Sequence, residues 1–103
     1  MTIDNCKIIK KTLFKYFKKK ITIKYPNDLL INKKKFCGIL QEIKFNKGFK
    51  FLIVGIGLNL VKSPDIKNYP TTNILNETGI KIKKSKLIMS IERNYSSKFK
   101  LFA

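Results

Sequence analysis

A lysine beside a turn, a pair of alternating glycines and a short acid-bearing turn are the parts of this chain whose spacing could do chemistry. Lys35 ends the run Lys33-Lys34-Lys35 and stands three residues before Gly38, at the mouth of a segment that reads as a strand. An ammonium there can neutralise an anion, although one lysine in a run of three at a turn is ordinarily a solvated cation. A glycine such as Gly38 weakens a strand unless something must approach the backbone closely. In Val54-Gly55-Ile56-Gly57-Leu58-Asn59 two glycines alternate, so both face the same side and leave a bare patch for a ligand; a single strand glycine would more simply mark a bulge. The pattern is not a dinucleotide fingerprint, because Leu60 stands where the third glycine belongs and no helix follows. Asp28 and Asn59 are the polar candidates of the set. Asp28, in the turn Pro26-Asn27-Asp28, has an alternative reading as a turn residue bonded to backbone.

These residues resemble a known series of motifs. Lys24-Tyr25-Pro26-Asn27-Asp28 followed by Lys35-Phe36-Cys37-Gly38-Ile39-Leu40 resembles the Lys-Trp-Pro-Asn-Asp turn and Lys-x-x-Gly-Ile-Leu strand of biotin protein ligases, with Tyr25 replacing the usual Trp. Val54 to Asn59 is similar to the family's Gly-x-Gly-x-Asn strand, and Thr71-Thr72-Asn73-Ile74-Leu75-Asn76-Glu77-Thr78-Gly79 to its Thr-Ser-Leu-x-x-Glu-x-Gly segment. The likeness covers roughly residues 5–99 and matches the second half of the family's catalytic domain. It implies an enzyme that joins the carboxylate of biotin to the α-phosphate of ATP, releasing pyrophosphate. The biotinyl group of biotinyl-5'-AMP then passes to a lysine of a biotin carboxyl carrier protein, a subunit of acetyl-CoA carboxylase. On this resemblance Lys35 is the catalytic ammonium, touching both biotin and adenylate and easing the approach of two anions. Gly38, Gly55 and Gly57 line biotin together with Lys35. Lys24, Asn27, Asp28 and Asn59 lie at the nucleotide, with Asp28 a hard oxygen ligand for Mg²⁺. Lys24 is alternatively a salt-bridge partner of Asp28.

The family's first half carries a Gly-Arg-Gly-Arg-x-Gly-Arg loop that closes over biotin and adenylate. Nothing here resembles it, since the sole arginine is Arg93 and no glycine precedes Gly38. The Ser-Thr biotin-contacting segment, the small β-barrel domain that usually follows and the helix-turn-helix domain of some relatives have no counterpart either. The expectation is that residues 1–103 form a partial catalytic domain: a truncated ligase, one half of a split ligase, or an inactive remnant, and not a repressor. The strands that would pair with the other half should leave an exposed sheet edge, covered by that half or by self-association.

The elements that must position these residues are legible from period and punctuation. Cys6, Ile9, Leu13, Tyr16 and Phe17 fall at helical spacing, predicting an amphipathic helix over 5–19, capped by Asp4 and followed by Lys18-Lys19-Lys20 where cations suit a helix end. Strands are expected at 21–25, 29–31 and 35–45. Asn46-Lys47-Gly48 reads as a hairpin, and 49–61 returns as an antiparallel strand. Because Phe51-Leu52-Ile53-Val54 is apolar on both faces, that strand should be central. Residues 63–70 read as loop, Thr72 as the cap of a short helix ended by Gly79, and Ser85 as the cap of a last helix with Ile88, Ile91, Tyr95 and Phe99 in one stripe. The order implies an α+β fold, a mixed or antiparallel sheet with helices on one face.

Composition sets the outer bounds. The 103 residues suffice for one domain, and 44% hydrophobic content suits a folded chain. No apolar run approaches the ~18 residues of a membrane span, and no signal peptide is apparent. Cys6 and Cys37 have no metal-ligand spacing, the chain has no His, and two thiols fit a reducing cytoplasm. The net charge of +17 raises a small basic nucleic-acid-binding module as the alternative of another class. Against it, only Arg93 among 23 basic residues is arginine, and no recognition motif accompanies the charge. Binding of that kind would fall steeply with salt and ignore Lys35→Ala.

Overall fold

The apolar stripe at the start of the chain becomes α1 (Thr2–Leu13), which buries Cys6, Ile9 and Leu13 completely. The computed structural model describes the backbone of residues 2–99 and the side chains of residues 5–96. The helix starts earlier and ends sooner than the spacing predicts. It begins at Thr2, so Asp4 sits inside its first turn and is no cap; the Asp4 side chain lies outside the described residues. At the other end the bonds shorten to Tyr16 N–H on the Leu13 carbonyl and Lys15 N–H on the Thr12 carbonyl, a tightened last turn. Lys18 then donates to the Phe14 carbonyl at 2.6 Å, satisfying an orphan acceptor as expected of a cation there.

Four strands follow: β1 (Thr22–Lys24), β2 (Asp28–Ile31), β3 (Lys34–Asn46) and β4 (Phe49–Leu58), in the order β1-β2-β3-β4 with every pairing antiparallel. Two-residue turns set the registers. Asn32 and Lys33 join β2 to β3, and Lys47 and Gly48 join β3 to β4, all four with positive φ as tight hairpins of this twist demand. A parallel bridge from Lys35 to Thr71 ties the following loop to the start of β3. The peptide between Tyr25 and Pro26 is cis. Two helices complete the chain, α2 (Ile74–Thr78) and α3 (Lys84–Phe99). The α+β reading with helices on one face therefore holds, and α1 packs against β2, β3 and α3.

One face of the sheet is buried over β2 and the first half of β3. The other face is bare among the described residues, and the far half of the β3–β4 hairpin is exposed on both faces. Leu29, Ile31, Phe36, Cys37 and Ile39 form a single core with the α1 stripe, Phe17, Ile21, Ile74, Ile82 and Leu87. A polar seam runs through this layer: Tyr95 Oη donates to Asn5 Oδ1, Asn5 Nδ2 donates to Gln41 Oε1, and Asn94 donates to Thr12 Oγ1. Asn5 and Thr12 are almost fully buried, and these bonds satisfy groups that would otherwise be costly.

Three expectations need correction. β4 is the edge strand of this sheet, not a central one, and it ends at Leu58 instead of residue 61. An apolar run demands cover on both faces but does not say that the cover is another strand of the same chain. Here Val54, Ile56 and Leu58 turn toward α3, while Phe51 and Ile53 stay exposed on the bare face. The cap of α2 is Asn73, whose side chain accepts the Asn76 N–H at 2.8 Å; Thr72 donates instead to Glu77. Gly79 does end α2, in the left-handed region at φ 73°. In α3, Ser85 lies inside the helix rather than at its cap. Its inward residue in that turn is Leu87, with Ile88 exposed, while Ile91 and Tyr95 pack against the core as expected; the Phe99 side chain lies outside the described residues.

Candidate active site

Lys35 and Gly38 are three residues apart, and on a regular strand that spacing puts them on opposite faces. The pairing of β2 with β3 shows how they come to share one. Leu29 pairs with Cys37 but Leu30 pairs with Lys35, so Phe36 is an extra residue, a β-bulge. Phe36 and Cys37 both turn into the core, and the side of each residue before the bulge is reversed. Lys35 and Gly38 are thereby delivered to the bare face, opposite Leu30 and Asp28 of the same strand β2.

There the Lys35 ammonium lies 3.2 Å from Asp28 Oδ1, an ion pair whose side chains are both partly exposed. Gly38 sits directly beneath it: a methyl group at residue 38 would come within 3.1 Å of Lys35 Nζ and Cε. Gly57 pairs with Gly38 and Gly55 with Leu40, so three glycines form one smooth strip. A methyl at Gly55 or Gly57 would find its nearest neighbour at 3.9 or 3.8 Å, an ordinary contact, so packing within the chain does not require glycine at either position. Asn27, Asp28, Lys35, Gly38, Ile39, Leu40, Gly55, Ile56 and Gly57 line a concavity of about 440 Å³. Electrostatically it is a cation and a carboxylate at one end of an apolar, backbone-floored slot.

The structure thus brings together six of the eight residues singled out from the sequence. Lys24 lies opposite Asp28 in the β1–β2 register, yet the salt bridge to Asp28 comes from Lys35; Lys24 Nζ instead sits 4.8 Å from the centroid of the Tyr69 ring. Asn59 is not among the lining residues. It braces the base of the slot, its backbone N–H on the Phe36 carbonyl at 2.8 Å and its side chain donating to the Thr72 carbonyl at 3.1 Å. Tyr69 was missed: it donates to Asp28 Oδ2 at 2.6 Å, and no motif or period pointed to it.

The two thiols play no part in this chemistry. Burial pushes the Cys37 thiol up to about 12 and raises that of Cys6, so neither is a nucleophile near neutrality. Both should resist alkylation by iodoacetamide at pH 8 in the folded protein and react within minutes in 6 M guanidinium (about the strength that unfolds most domains). Rapid modification of the native chain would contradict their burial. Among the described residues no group of three His, Cys, Asp or Glu side chains could hold a metal, and no helix is long and apolar enough to cross a membrane.

Residues 4–59, from α1 to the end of the glycine strand, match the model of the biotin/lipoate A/B protein ligase family. The chain belongs to that family. It is 36% identical over 76 residues to the bifunctional ligase/repressor BirA of Bacillus subtilis, an alignment spanning 67% of this chain and 23% of that protein. To the biotin–[acetyl-CoA-carboxylase] ligase of Paracoccus denitrificans it is 38% identical over 66 residues, 58% of this chain and 28% of that one. In fold it is similar to the biotin protein ligase of Aquifex aeolicus in complex with biotin and ATP, with a TM-score of 0.77 at 24% identity, over 96% of this chain and 42% of that chain. The chain therefore spans about a quarter of the curated relatives' length and under half of the solved ligase.

Proposed function

We propose that this chain is part of a biotin protein ligase: it binds biotin in the glycine-floored slot and activates it with ATP to biotinyl-5'-AMP, for transfer to a lysine of a biotin carboxyl carrier protein. What supports this reading is the common face of Lys35, Asp28 and the three glycines, two of which, Gly55 and Gly57, stand where packing does not call for glycine. A ring system and aliphatic chain fit a flat apolar floor, and the acyl carboxylate belongs at the end where Lys35 stands. The ammonium offsets the charge that two approaching anions bring together, and it does so from a fixed position. Asn27, Asp28, Lys24 and Asn59 lie on the nucleotide side. Asp28 is the one carboxylate of the slot, and each of its oxygens, already bonded once, keeps a second lone pair. That fits a Mg²⁺ held mainly by ATP phosphates, with Asp28 as its single protein ligand; the ion would supply charge neutralisation at the phosphates. A cytoplasmic location is part of this proposal, supported by two free cysteines that suit a reducing compartment.

Biotin-dependent ATP–pyrophosphate exchange tests the reading directly. Exchange with biotin and none with lipoate supports it. Biotin binding without exchange in a folded sample points to a ligand-binding remnant, and absence of both counts against the assignment.

The floor also supplies a sharp variant. Gly38→Ala forces only the flexible end of Lys35 to move, so thermal stability should stay within ~1 kcal/mol of the parent while biotin affinity falls about tenfold, a 1.4 kcal/mol loss. Titration calorimetry checks the affinity, and unchanged binding would remove Gly38 from the floor.

We further propose that the edge of β4 is where the remaining polypeptide of the ligase domain docks, whether joined to this chain or separate. Among the described residues the ten-residue β4 has no partner on its outer side, and the groove between it and α3 is lined by Leu52, Val54, Ile56, Leu87, Ile88 and Ile91. Phe49, Phe51 and Ile53 are exposed on the strand's other face, a combination that drives edge pairing. Alone, the chain should self-associate with rising concentration in sedimentation velocity, and Ile53→Lys should shift it toward monomer. A clean monomer of the parent at high concentration would sink the idea.

A further inference from the structure

The loop that carries Tyr69 holds Lys35 twice. Its backbone brackets that residue, Lys35 N–H donating to the Pro70 carbonyl at 3.0 Å and Thr72 N–H to the Lys35 carbonyl at 2.8 Å. Its side chain reaches the same lysine through Asp28: the Tyr69 hydroxyl donates to Oδ2 at 2.6 Å while the Lys35 ammonium takes Oδ1 at 3.2 Å. The ring lies beneath two cations, 5.6 Å from Lys35 Nζ and 4.8 Å from Lys24 Nζ to its centroid. The loop is itself closed, by Thr71 Oγ1 on the Pro64 carbonyl at 2.6 Å and Tyr69 N–H on the Ile66 carbonyl at 3.2 Å.

We propose that Tyr69 is a positioning residue of the biotin-activating site, clamping the Asp28 carboxylate so that the Lys35 ammonium is held over Gly38 before any ligand arrives. The inference rests on the ligase reading above. Its physical basis is the freedom of the two side chains. A lysine head on a four-carbon stem has many rotamers, and a carboxylate held at one oxygen still rotates about its last bond. Bonding the second oxygen to a hydroxyl on a closed loop removes that rotation, and the ammonium that follows the carboxylate loses its freedom too. A site that spends no reorganisation when the ligand binds stabilises developing charge more strongly.

Two measurements on the 103-residue chain test this, each made on the parent, Tyr69→Phe and Tyr69→Leu. The first is the order parameter of the Lys35 ammonium by ¹⁵N NMR without ligand. The second is affinity for a non-hydrolysable sulfamoyl analogue of biotinyl-5'-AMP. Tyr69→Phe keeps the ring and loses the hydroxyl; it should lower Lys35 order and weaken analogue binding about tenfold, leaving the backbone amide spectrum in place. Tyr69→Leu should weaken it further. In a Lys35→Ala background Tyr69→Phe should cost nothing more, because the residue acts through Lys35. Unchanged Lys35 order in both variants, with the parent binding the analogue, overturns the clamp alone. So does a full tenfold loss that persists without Lys35. A parent that does not bind the analogue overturns the ligase reading and the proposal with it.

Discussion

Replacing Lys35 with alanine is expected to lower biotin-dependent ATP–pyrophosphate exchange by about 10²–10³-fold, the usual cost of one positioned electrostatic group. Three features argue for so large an effect from one surface-facing lysine. The bulge at Phe36 turns the Lys35 side chain onto the bare face, Asp28 and the Tyr69 loop hold it there, and Gly38 leaves the space beneath it clear. The fold should barely notice the loss. The Lys35–Asp28 pair remains partly open to water, and exposed pairs are worth roughly 0–1 kcal/mol. Lys35→Arg should not rescue the rate, because a longer planar fork cannot stand where a compact ammonium stood over Gly38. The measurement is exchange at saturating biotin and ATP, with circular dichroism of each variant. Undiminished exchange in the alanine variant would mean that charge is stabilised elsewhere.

The second large effect concerns stability. Phe36 is wholly buried, the largest such side chain in the core, and it is the residue that makes the bulge. Phe36→Ala should cost about 3–5 kcal/mol through lost burial and the cavity left behind. Small domains hold only about 5–15 kcal/mol in all, so the variant should be marginally folded at 37 °C (a typical assay temperature, about 10–30 °C below the usual mesophile midpoint). Urea unfolding checks this by a lower midpoint at similar slope. Phe36→Leu should retain most of the stability, since a large apolar side chain still fills the site. The coupling to function is direct: a relaxed bulge lets Lys35 swing back toward the other face. A Phe36→Ala variant of parental stability would show that the core closes over the gap.

Several features needed nothing beyond neighbouring residues. The stripe Cys6, Ile9 and Leu13 foretold which face of α1 is buried, because helical period is a local property. Asn46-Lys47-Gly48 foretold the hairpin, whose positive φ values fall on Lys47 and Gly48. Gly79 foretold a helix end, and the alternation of Gly55 and Gly57 their common face. The family resemblance grouped Lys35 and Asp28 as candidate site residues, but it did not say that the two would pair.

Other features depend on residues distant in the chain. The edge position of β4 depends on what lies beyond it, and no property of Phe51-Leu52-Ile53-Val54 encodes a neighbour. The helix boundaries at Leu13 and Asn73 were settled by which hydrogen bonds were available, including Glu77, whose carboxylate takes Thr72 and Asn32 and stays charged below its ordinary range. Tyr69 reaches Asp28 across 41 residues, and only loop closure brings it there. Composition and period carried the core, the turns and the glycine face, because those follow from φ preference and apolar burial within a few residues. Tertiary pairing alone decided that Lys35 faces the slot, since an odd spacing points it away until the β2–β3 register admits Phe36 as an extra residue.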